Sequence, residues 1–146
     1  MARARLSLDG LSLGDAFCEQ FFRPVDWQRD FVGRRPPPGP WRYTDDTEMA
    51  LGILEVLSRH GTIDQDDLAA TFVRRFLRDQ HRGYGGGAYI LLHAIADGKP
   101  WREAAAALFD GGGSLGNGGA MRAAPIGAWF ADDLARALQE ADRSAF

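Results

Sequence analysis

Cysteine is nearly absent from this sequence of 146 residues, which contains a single one, Cys18. An internal disulfide and a cysteine-based zinc cluster are therefore excluded, which is typical of the reducing cytoplasm, where we expect this protein to reside. No apolar run approaches the ~18 residues of a membrane helix, and the basic N-terminus has no continuous apolar core. We therefore expect neither a membrane span nor a secretory signal. The net charge of −3 gives no overall attraction for nucleic acid.

Sustained β alternation is also absent, and no run of β-branched residues is longer than two. Apolar residues instead recur at helical spacing in segments separated by glycine and proline, which predicts an all-α domain. At this length the chain suffices for one compact domain, over residues 1–146. Four of the 7 prolines fall in GRRPPPGPW, so we expect an irregular loop over about 23–42.

Three helices can be placed from local signals. Apolar spacing predicts a first helix over Leu6 to Phe22 with one buried face. A second helix begins near Asp45 and ends before Gly61, a residue typical of the position after a helix. A third begins after a capping Asp64, and we expect its apolar residues, including Leu77, to face inward.

Two adjacent carboxylates, Asp45 and Asp46, stand between Thr44 and Thr47 at the predicted start of the second helix. These side chains offer hard oxygen atoms, which are the ligands that Mg²⁺, Ca²⁺ and Mn²⁺ prefer. Helix capping is the alternative, because Thr and Asp are common at helix starts and Glu48 stands at capping-box spacing from Asp45. On spacing alone, capping is favoured over metal binding.

A second acidic pair, Asp15 and Glu19, stands four residues apart and so projects from one face of the first helix. Carboxylates beside an apolar face are either solvated at its margin or tied to a partner such as a metal ion. From these residues alone, the solvated margin is favoured.

Two glycine-rich segments precede or interrupt predicted helices. The first, Gly83-Tyr84-Gly85-Gly86-Gly87, can offer backbone N–H groups to a phosphate, and Tyr84 can stack on a base or ribose. It lacks the Gly-Lys-Ser/Thr ending of a P-loop, and a helix–helix turn that needs positive φ is the alternative. In the second segment, 111–122, Ser114 and Asn117 can bind ribose or phosphate oxygens, with a flexible loop as the alternative.

Four segments in this order, GDAFCEQFF, YTDDTEMALGILEVL, GYGGGAYILL and SLGNGGAMRAAPIGAWF, resemble the N-terminal half of ADP-ribosylglycohydrolases. The similarity runs from about Leu6 to about Ala145, and Thr-Asp-Asp-Thr together with Gly-Asn-Gly-x-Ala-Met-Arg makes it specific. It implies an all-α fold around a binuclear Mg²⁺ or Mn²⁺ site. It also implies hydrolysis of the bond between the ribose C1″ of ADP-ribose and a substituent, often a protein side chain.

The resemblance assigns roles residue by residue. Thr44, Asp45 and Asp46 would ligate metal, and Asp45, Asp46 and Glu19 would be the catalytic carboxylates. The residues that would cradle the diphosphate and ribose are Gly83, Tyr84, Gly85, Gly86, Gly87, Ser114, Gly116, Asn117, Gly118 and Met121. The expected partner is an ADP-ribosylated protein or a small molecule containing ADP-ribose, and a non-catalytic module that binds ADP-ribose or a nucleotide is the alternative.

The sequence departs from the family pattern in three ways. Phe22 stands where the family carries a glutamate, and Glu19 is the nearest substitute; Arg82 stands where some members carry an acid. The family is about twice as long, and its second Asp-rich motif, which completes the metal cage, has no counterpart here. Since a divalent ion takes about six to eight ligands, we expect weak activity or none from this chain alone. A complementary C-terminal half, or self-association, would cover the apolar surface left exposed.

Overall fold

The computed structural model describes residues 1–22, 32–33, 36–114 and 116–145. Within these ranges the chain is helical and contains no β-strand, which confirms the all-α prediction. The helices are α1 (Ala2–Cys18), α2 (Asp45–His60), α3 (Gln65–Arg78), α4 (Gly86–Ala96), α5 (Trp101–Ala106), α6 (Gly118–Met121), α7 (Ala124–Trp129) and α8 (Leu134–Ala145). Glu19–Phe22 and Leu108–Gly111 are 3-10 turns.

Helix α2 lies at the centre and packs against α1, α3, α6 and α7. It contributes most to the core because apolar residues recur along its length on more than one face. The core residues are Met49, Ile53, Val56, Leu57, Ile63, Leu68, Phe72, Phe76, Leu92 and Ile126. The first turn of α2 therefore lies at the edge of this core and is held there by the packing of the helix.

The predicted C-terminus of α2 and the predicted N-terminus of α3 are confirmed. Gly61 follows α2 in the left-handed region with φ 68°, a conformation that glycine adopts without the steric cost of a Cβ. The carboxylate of Asp64 accepts a hydrogen bond from the backbone N–H of Asp67 at 2.9 Å, which caps α3.

The first helix differs from the prediction. It begins at Ala2 instead of Leu6, and its predicted last turn, Glu19–Phe22, is a 3-10 turn. Phe22, the last residue of the predicted helix, is 85% exposed and so adds nothing to its buried face. Leu77 of α3, also predicted to face inward, is 53% exposed, because Phe72 and Phe76 already occupy the buried side of that helix.

Several further expectations concern surfaces and loops. Much of the predicted irregular loop lies outside the described residues, which resume at 36 and show no helix before α2. No helix in the described ranges is long and apolar enough to cross a bilayer; the cytoplasmic location stays a prediction. Large apolar side chains such as Leu6, Leu134 and Leu138 are exposed, and self-association stays a prediction as well.

Candidate active site

The carboxylate of Asp15, on α1, occupies the N-terminus of α2. Its Oδ2 accepts hydrogen bonds from the backbone N–H of Thr44 at 2.8 Å and of Thr47 at 3.2 Å. The Thr47 hydroxyl donates to the same oxygen at 2.6 Å, and the Thr44 hydroxyl donates to Oδ1 at 2.7 Å. A side chain 29 residues away from Thr44 thus supplies the cap that was expected from local residues.

The local residues consequently do not cap α2. Thr44 occupies the N-cap position without a side-chain cap bond. Glu48 forms no capping box, because its carboxylate accepts hydrogen bonds from Arg75 Nη1 at 2.6 Å and from Tyr43 Oη at 3.0 Å. The capping interpretation of the Thr-Asp-Asp-Thr run is therefore wrong, and Asp45 and Asp46 are left with no capping role.

Asp45 and Asp46 are partly buried, and this position disfavours the charged form of both carboxylates. Burial, followed by the negative charge of Asp46 and that of Asp15, raises the pKa of Asp45 to about 6. Burial and the charge of Asp15 also raise the pKa of Asp46. Among the described residues, no arginine, lysine or histidine forms an ion pair with Asp15, Asp45 or Asp46. The site therefore concentrates negative charge that no basic side chain of the described residues neutralises.

The same ranges contain no group of three or more His, Cys, Asp or Glu side chains that could by itself hold a metal ion. The donor set at the α2 start consists of two carboxylates and one hydroxyl, from Asp45, Asp46 and Thr44. Glu19, at the first position of the 3-10 turn, makes no hydrogen bond or ion pair with either aspartate in the described structure. Its catalytic role stays a prediction.

The first glycine-rich segment lies directly against the acidic pair. The backbone N–H of Asp45 donates to the carbonyl oxygen of Arg82 at 2.7 Å. Gly83 adopts φ 85°, and a Cβ there would lie 3.7 Å from Asp45 Oδ1. Arg82 holds this turn in place, because its guanidinium lies 4.0 Å from the Tyr43 ring centroid and donates to the Tyr43 carbonyl oxygen at 3.0 Å. Arg82 is thus a structural residue of the turn.

The remaining glycines of that segment have different environments. Gly85 and Gly86 have no atom within 4 Å of where a Cβ would be, and α4 begins at Gly86 without a side-chain cap. An anion can approach a helix N-terminus where there is open space, no side chain in the way and N–H groups that no side chain caps. Gly87 has a neighbour, because a Cβ there would lie 2.9 Å from Cζ of Phe109. The turn is therefore open on one side and covered by Phe109 on the other.

Phe109 is a residue that the sequence analysis missed. It and Asp110 both adopt left-handed backbone angles, with φ 53° and 54°, and its side chain is 55% exposed. Two successive non-glycine residues in that region cost about 1–2 kcal/mol each, a strain found mostly at functional sites. Apart from its place just before Gly111, no feature of the sequence indicates this conformation.

Tyr84 is turned toward the protein. Its ring packs edge-to-face on Phe76, with centroids 5.0 Å apart, and its buried hydroxyl has no hydrogen-bond partner in the part of the chain that the structure describes. Burial, with a further contribution from the charges of Glu48 and Asp45, raises the pKa of this phenol. The ring is therefore occupied by core packing, and the unpaired hydroxyl is the part of Tyr84 that a ligand could still satisfy.

The second glycine-rich segment is tied to the rest of the fold at its C-terminal end. Ser114 Oγ accepts a hydrogen bond from the Gly116 N–H at 3.0 Å, whereas Asn117 and Gly118, at the start of α6, are open. A Cβ on Gly119 would lie 3.3 Å from Cβ of Ala145. Close approach of α8 therefore accounts for the glycine at 119. The residues of this segment that remain open to a ligand are those before Gly119.

Met121 and Arg122 connect this segment to α2. Met121 packs against the core, and Arg122 Nη1 lies 4.0 Å from Sδ of Met49, one helical turn after Asp45. Arg122 is buried, its guanidinium lies 4.9 Å from the Phe72 ring centroid, and burial lowers its pKa to about 10. The first glycine-rich segment therefore lies against Asp45, and the end of the second segment contacts α2 at Met49, one helical turn further along.

Comparison with known proteins shows which family this sequence resembles. The family model described as ADP-ribosylglycohydrolase matches residues 1–146. The chain is similar to ADP-ribosylhydrolase ARH3 of Danio rerio, with 34% identity over 140 residues, 89% of this chain and 38% of the relative. For the protein of the same name in Gallus gallus, identity is 35% over 149 residues, 90% of this chain and 41% of the relative. For that of Homo sapiens it is 41% over 86 residues, 58% of this chain and 24% of the relative. The chain spans less than half the length of these relatives.

Proposed function

Because the chain belongs to the ADP-ribosylglycohydrolase family, we propose that its acidic site serves metal-assisted hydrolysis of an ADP-ribosyl bond. The bond is the one between the ribose C1″ of ADP-ribose and a substituent such as a protein side chain. One observation carries the proposal: Asp45, next to Asp46, lies beside an open glycine turn, Asp15 caps α2 in place of both, and no basic side chain of the described residues pairs with either. Similarity to relatives named ADP-ribosylhydrolase supports the same reaction class.

The residues present fit a divalent cation in the type of donor that they offer. Thr44, Asp45 and Asp46 supply hard oxygen atoms, and the charge of the two carboxylates lacks a counter-ion within the described structure. These three residues would hold Mg²⁺ or Mn²⁺, which supplies Lewis acidity toward sugar hydroxyls and water. Three oxygen donors are fewer than the about six that such an ion takes, so water and substrate must supply the others. We therefore expect weak cation binding and slow turnover, or none, from this chain alone.

Different groups of the chain would bind different parts of the substrate. The uncapped start of α4, at Gly85 and Gly86, offers N–H groups to the diphosphate without side chains in the way. The exposed ring of Phe109, held across Gly87, provides an apolar face for a planar group. A carboxylate of the Asp45–Asp46 pair can take a proton from the attacking water.

Release of ADP-ribose from a peptide carrying ADP-ribosylated arginine tests the proposal, with Mg²⁺ or Mn²⁺ present and then chelated. We expect release, if measurable, to require the metal and to disappear in the Asp45→Ala and Asp46→Ala variants. Asp97→Ala is the matched control, because Asp97 is exposed at the end of α4 and its side chain has no partner in the described structure. Release that persists unchanged in chelator would contradict metal assistance.

A non-catalytic ADP-ribose-binding module is the second candidate, favoured by the open α4 start, which needs no metal to attract an anion. Calorimetric titration of the same variants with ADP-ribose separates the two. The binding module predicts that affinity survives both aspartate substitutions and that no release occurs. The hydrolase predicts that metal-dependent binding is lost with them.

A further inference from the structure

The hydroxyl group of Thr44 has one proton to donate, and it lies within hydrogen-bond distance of the carboxylates of Asp15 and Asp46 and near that of Asp45. Its Oγ1 lies 2.7 Å from Asp15 Oδ1 and 3.5 Å from Asp46 Oδ2. Hydrogen bonds from a hydroxyl to a carboxylate are strongest at about 2.5–2.7 Å and weak near the longer separation. The two distances therefore favour donation to Asp15, on α1, over donation to Asp46.

We infer that Asp15 is a positioning residue that sets the direction of the Thr44 hydroxyl proton, a role that rests on the proposed function of the site. With the proton held by Asp15, the lone pairs of Thr44 Oγ1 are free to face the aspartates as a ligand for a cation. Without Asp15, the proton turns to Asp46, and Thr44 and Asp46 then satisfy each other instead of a cation. Asp15 thus prepares the ligand set without joining it.

The other contacts of Asp15 explain why it can do only this. Its Oδ2 already accepts from the backbone N–H groups of Thr44 and Thr47 and from the Thr47 hydroxyl, so Oδ1 is what remains for the Thr44 hydroxyl. All four partners are donors, so the position requires an acceptor at both oxygen atoms. Asparagine has the same shape but replaces one acceptor with an NH₂ group, which repels these donors.

The carboxyl ¹³C chemical shift of Asp46, measured by NMR at pH 8 without metal, reports whether the Thr44 hydroxyl donates a hydrogen bond to Asp46. We expect the Thr44→Val variant to leave this shift unchanged, because in the native protein the Thr44 hydroxyl donates to Asp15 and not to Asp46. We expect Asp15→Asn to move it and the double variant to restore it. Asp9→Asn, an exposed change on the same helix, is the control. A shift change in Thr44→Val, or none in a folded Asp15→Asn, overturns the inference; Thr44→Val decides it alone if Asp15→Asn does not fold.

Mn²⁺ titration by calorimetry adds a readout that a merely structural role would not reproduce. Loss of a partner behind a metal ligand lowers affinity by about tenfold or more, which we expect for Asp15→Asn. In the Thr44→Val variant, the same substitution should cause no further loss, because Asp15 acts through that hydroxyl. An equal further loss overturns the inference. If the native chain takes up no Mn²⁺, the proposed function loses its cation, whereas the Asp46 shift still decides where the proton lies.

Discussion

At the residue scale, one carboxylate holds together two helices and an electrostatically unfavourable site. Asp15 makes four hydrogen bonds to Thr44 and Thr47, two of them to backbone N–H groups that would otherwise be unsatisfied at the helix start. Hydrogen bonds to a charged acceptor contribute about 1.5–3 kcal/mol each. This stabilisation offsets the repulsion that the same charge exerts on Asp45 and Asp46, whose pKa values it helps to raise.

Burial of Asp45, together with that repulsion, predicts a stability that depends on pH. Its folded pKa, about 6, lies above the usual value of 3.8 for an aspartate, so the carboxyl favours folding below the lower value. The advantage is lost as the pH rises through about 6, because the ionised form is desolvated and faces Asp46 and Asp15.

We therefore expect Asp45→Asn to stabilise the metal-free protein at pH 8 and to have little effect at pH 4. The full shift corresponds to about 3 kcal/mol, which partial solvation of the carboxylate reduces to about 1–2 kcal/mol. Urea unfolding in chelator at both pH values measures it, with Asp97→Asn as a control of equal charge change. Destabilisation at pH 8 would show that Asp45 has a stabilising partner instead.

At the element scale, the packing of α2 against α3 depends on a glycine and on buried charge pairs. A Cβ on Gly52 would lie 2.8 Å from Cε1 of Phe72, so only glycine allows the two helices their present separation. Beside it, Glu48 pairs with Arg75 at 2.6 Å, and both side chains are largely buried. The α2–α3 pair is therefore the rigid support on which the acidic site stands.

A pair of glycine substitutions tests this packing. Gly52→Ala gains about 1 kcal/mol of helix propensity but must displace a buried phenylalanine, which costs about 1–3 kcal/mol, so we expect net destabilisation. Gly10→Ala, within α1, meets nothing within 4 Å and should stabilise by about 0.5–1 kcal/mol. Thermal and urea unfolding compare the two. Equal effects of both substitutions would mean that α2 and α3 separate easily.

The element scale also shows what the sequence alone can and cannot predict. Helix ends set by local chemistry were predicted correctly, as at Gly61 and Asp64, because the signal lies within a few residues of its effect. The cap that Asp15 gives to α2 was missed, since no local spacing relates residues so far apart. The strain at Phe109 and the contact of Gly119 with Ala145 were missed for the same reason. The site residues themselves came from the family resemblance, whereas their environment came from long-range packing.

At the scale of the whole molecule, α8 closes the fold by binding residues far away in the chain. The Glu140 carboxylate accepts hydrogen bonds from the Ile63 N–H at 2.7 Å, from the Thr62 hydroxyl at 2.7 Å and from Arg136 Nε at 2.7 Å. The end of the same helix meets the second glycine-rich segment, where Arg122 donates to the Ser144 carbonyl oxygen. Helix α8 therefore fixes the α2–α3 connection and the segment containing Asn117 relative to each other.

The carboxylate of Glu140 predicts how this closure responds to pH. Burial acts to raise its pKa, but hydrogen bonds from Ile63, Thr62 and Arg136 together with the Arg136 charge outweigh burial and hold the pKa below its usual value. A depressed folded pKa means that the stabilisation is present above the unfolded value and is lost as the pH falls through the folded one. The pH dependence at Glu140 is thus opposite in sign to that at Asp45.

We expect Glu140→Gln to destabilise the protein by about 2–3 kcal/mol at pH 7, because a buried amide cannot accept from three donors as a carboxylate does. At pH 3, below the usual value for a glutamate, part of the stabilisation by the carboxylate has been lost, so the difference between the two proteins should shrink. Urea unfolding at both pH values measures it. Asp142→Asn, on an exposed face of the same helix, is the control and should change stability by less than about 0.5 kcal/mol. A loss of equal size at both pH values would mean that Glu140 acts through its shape and not through its charge.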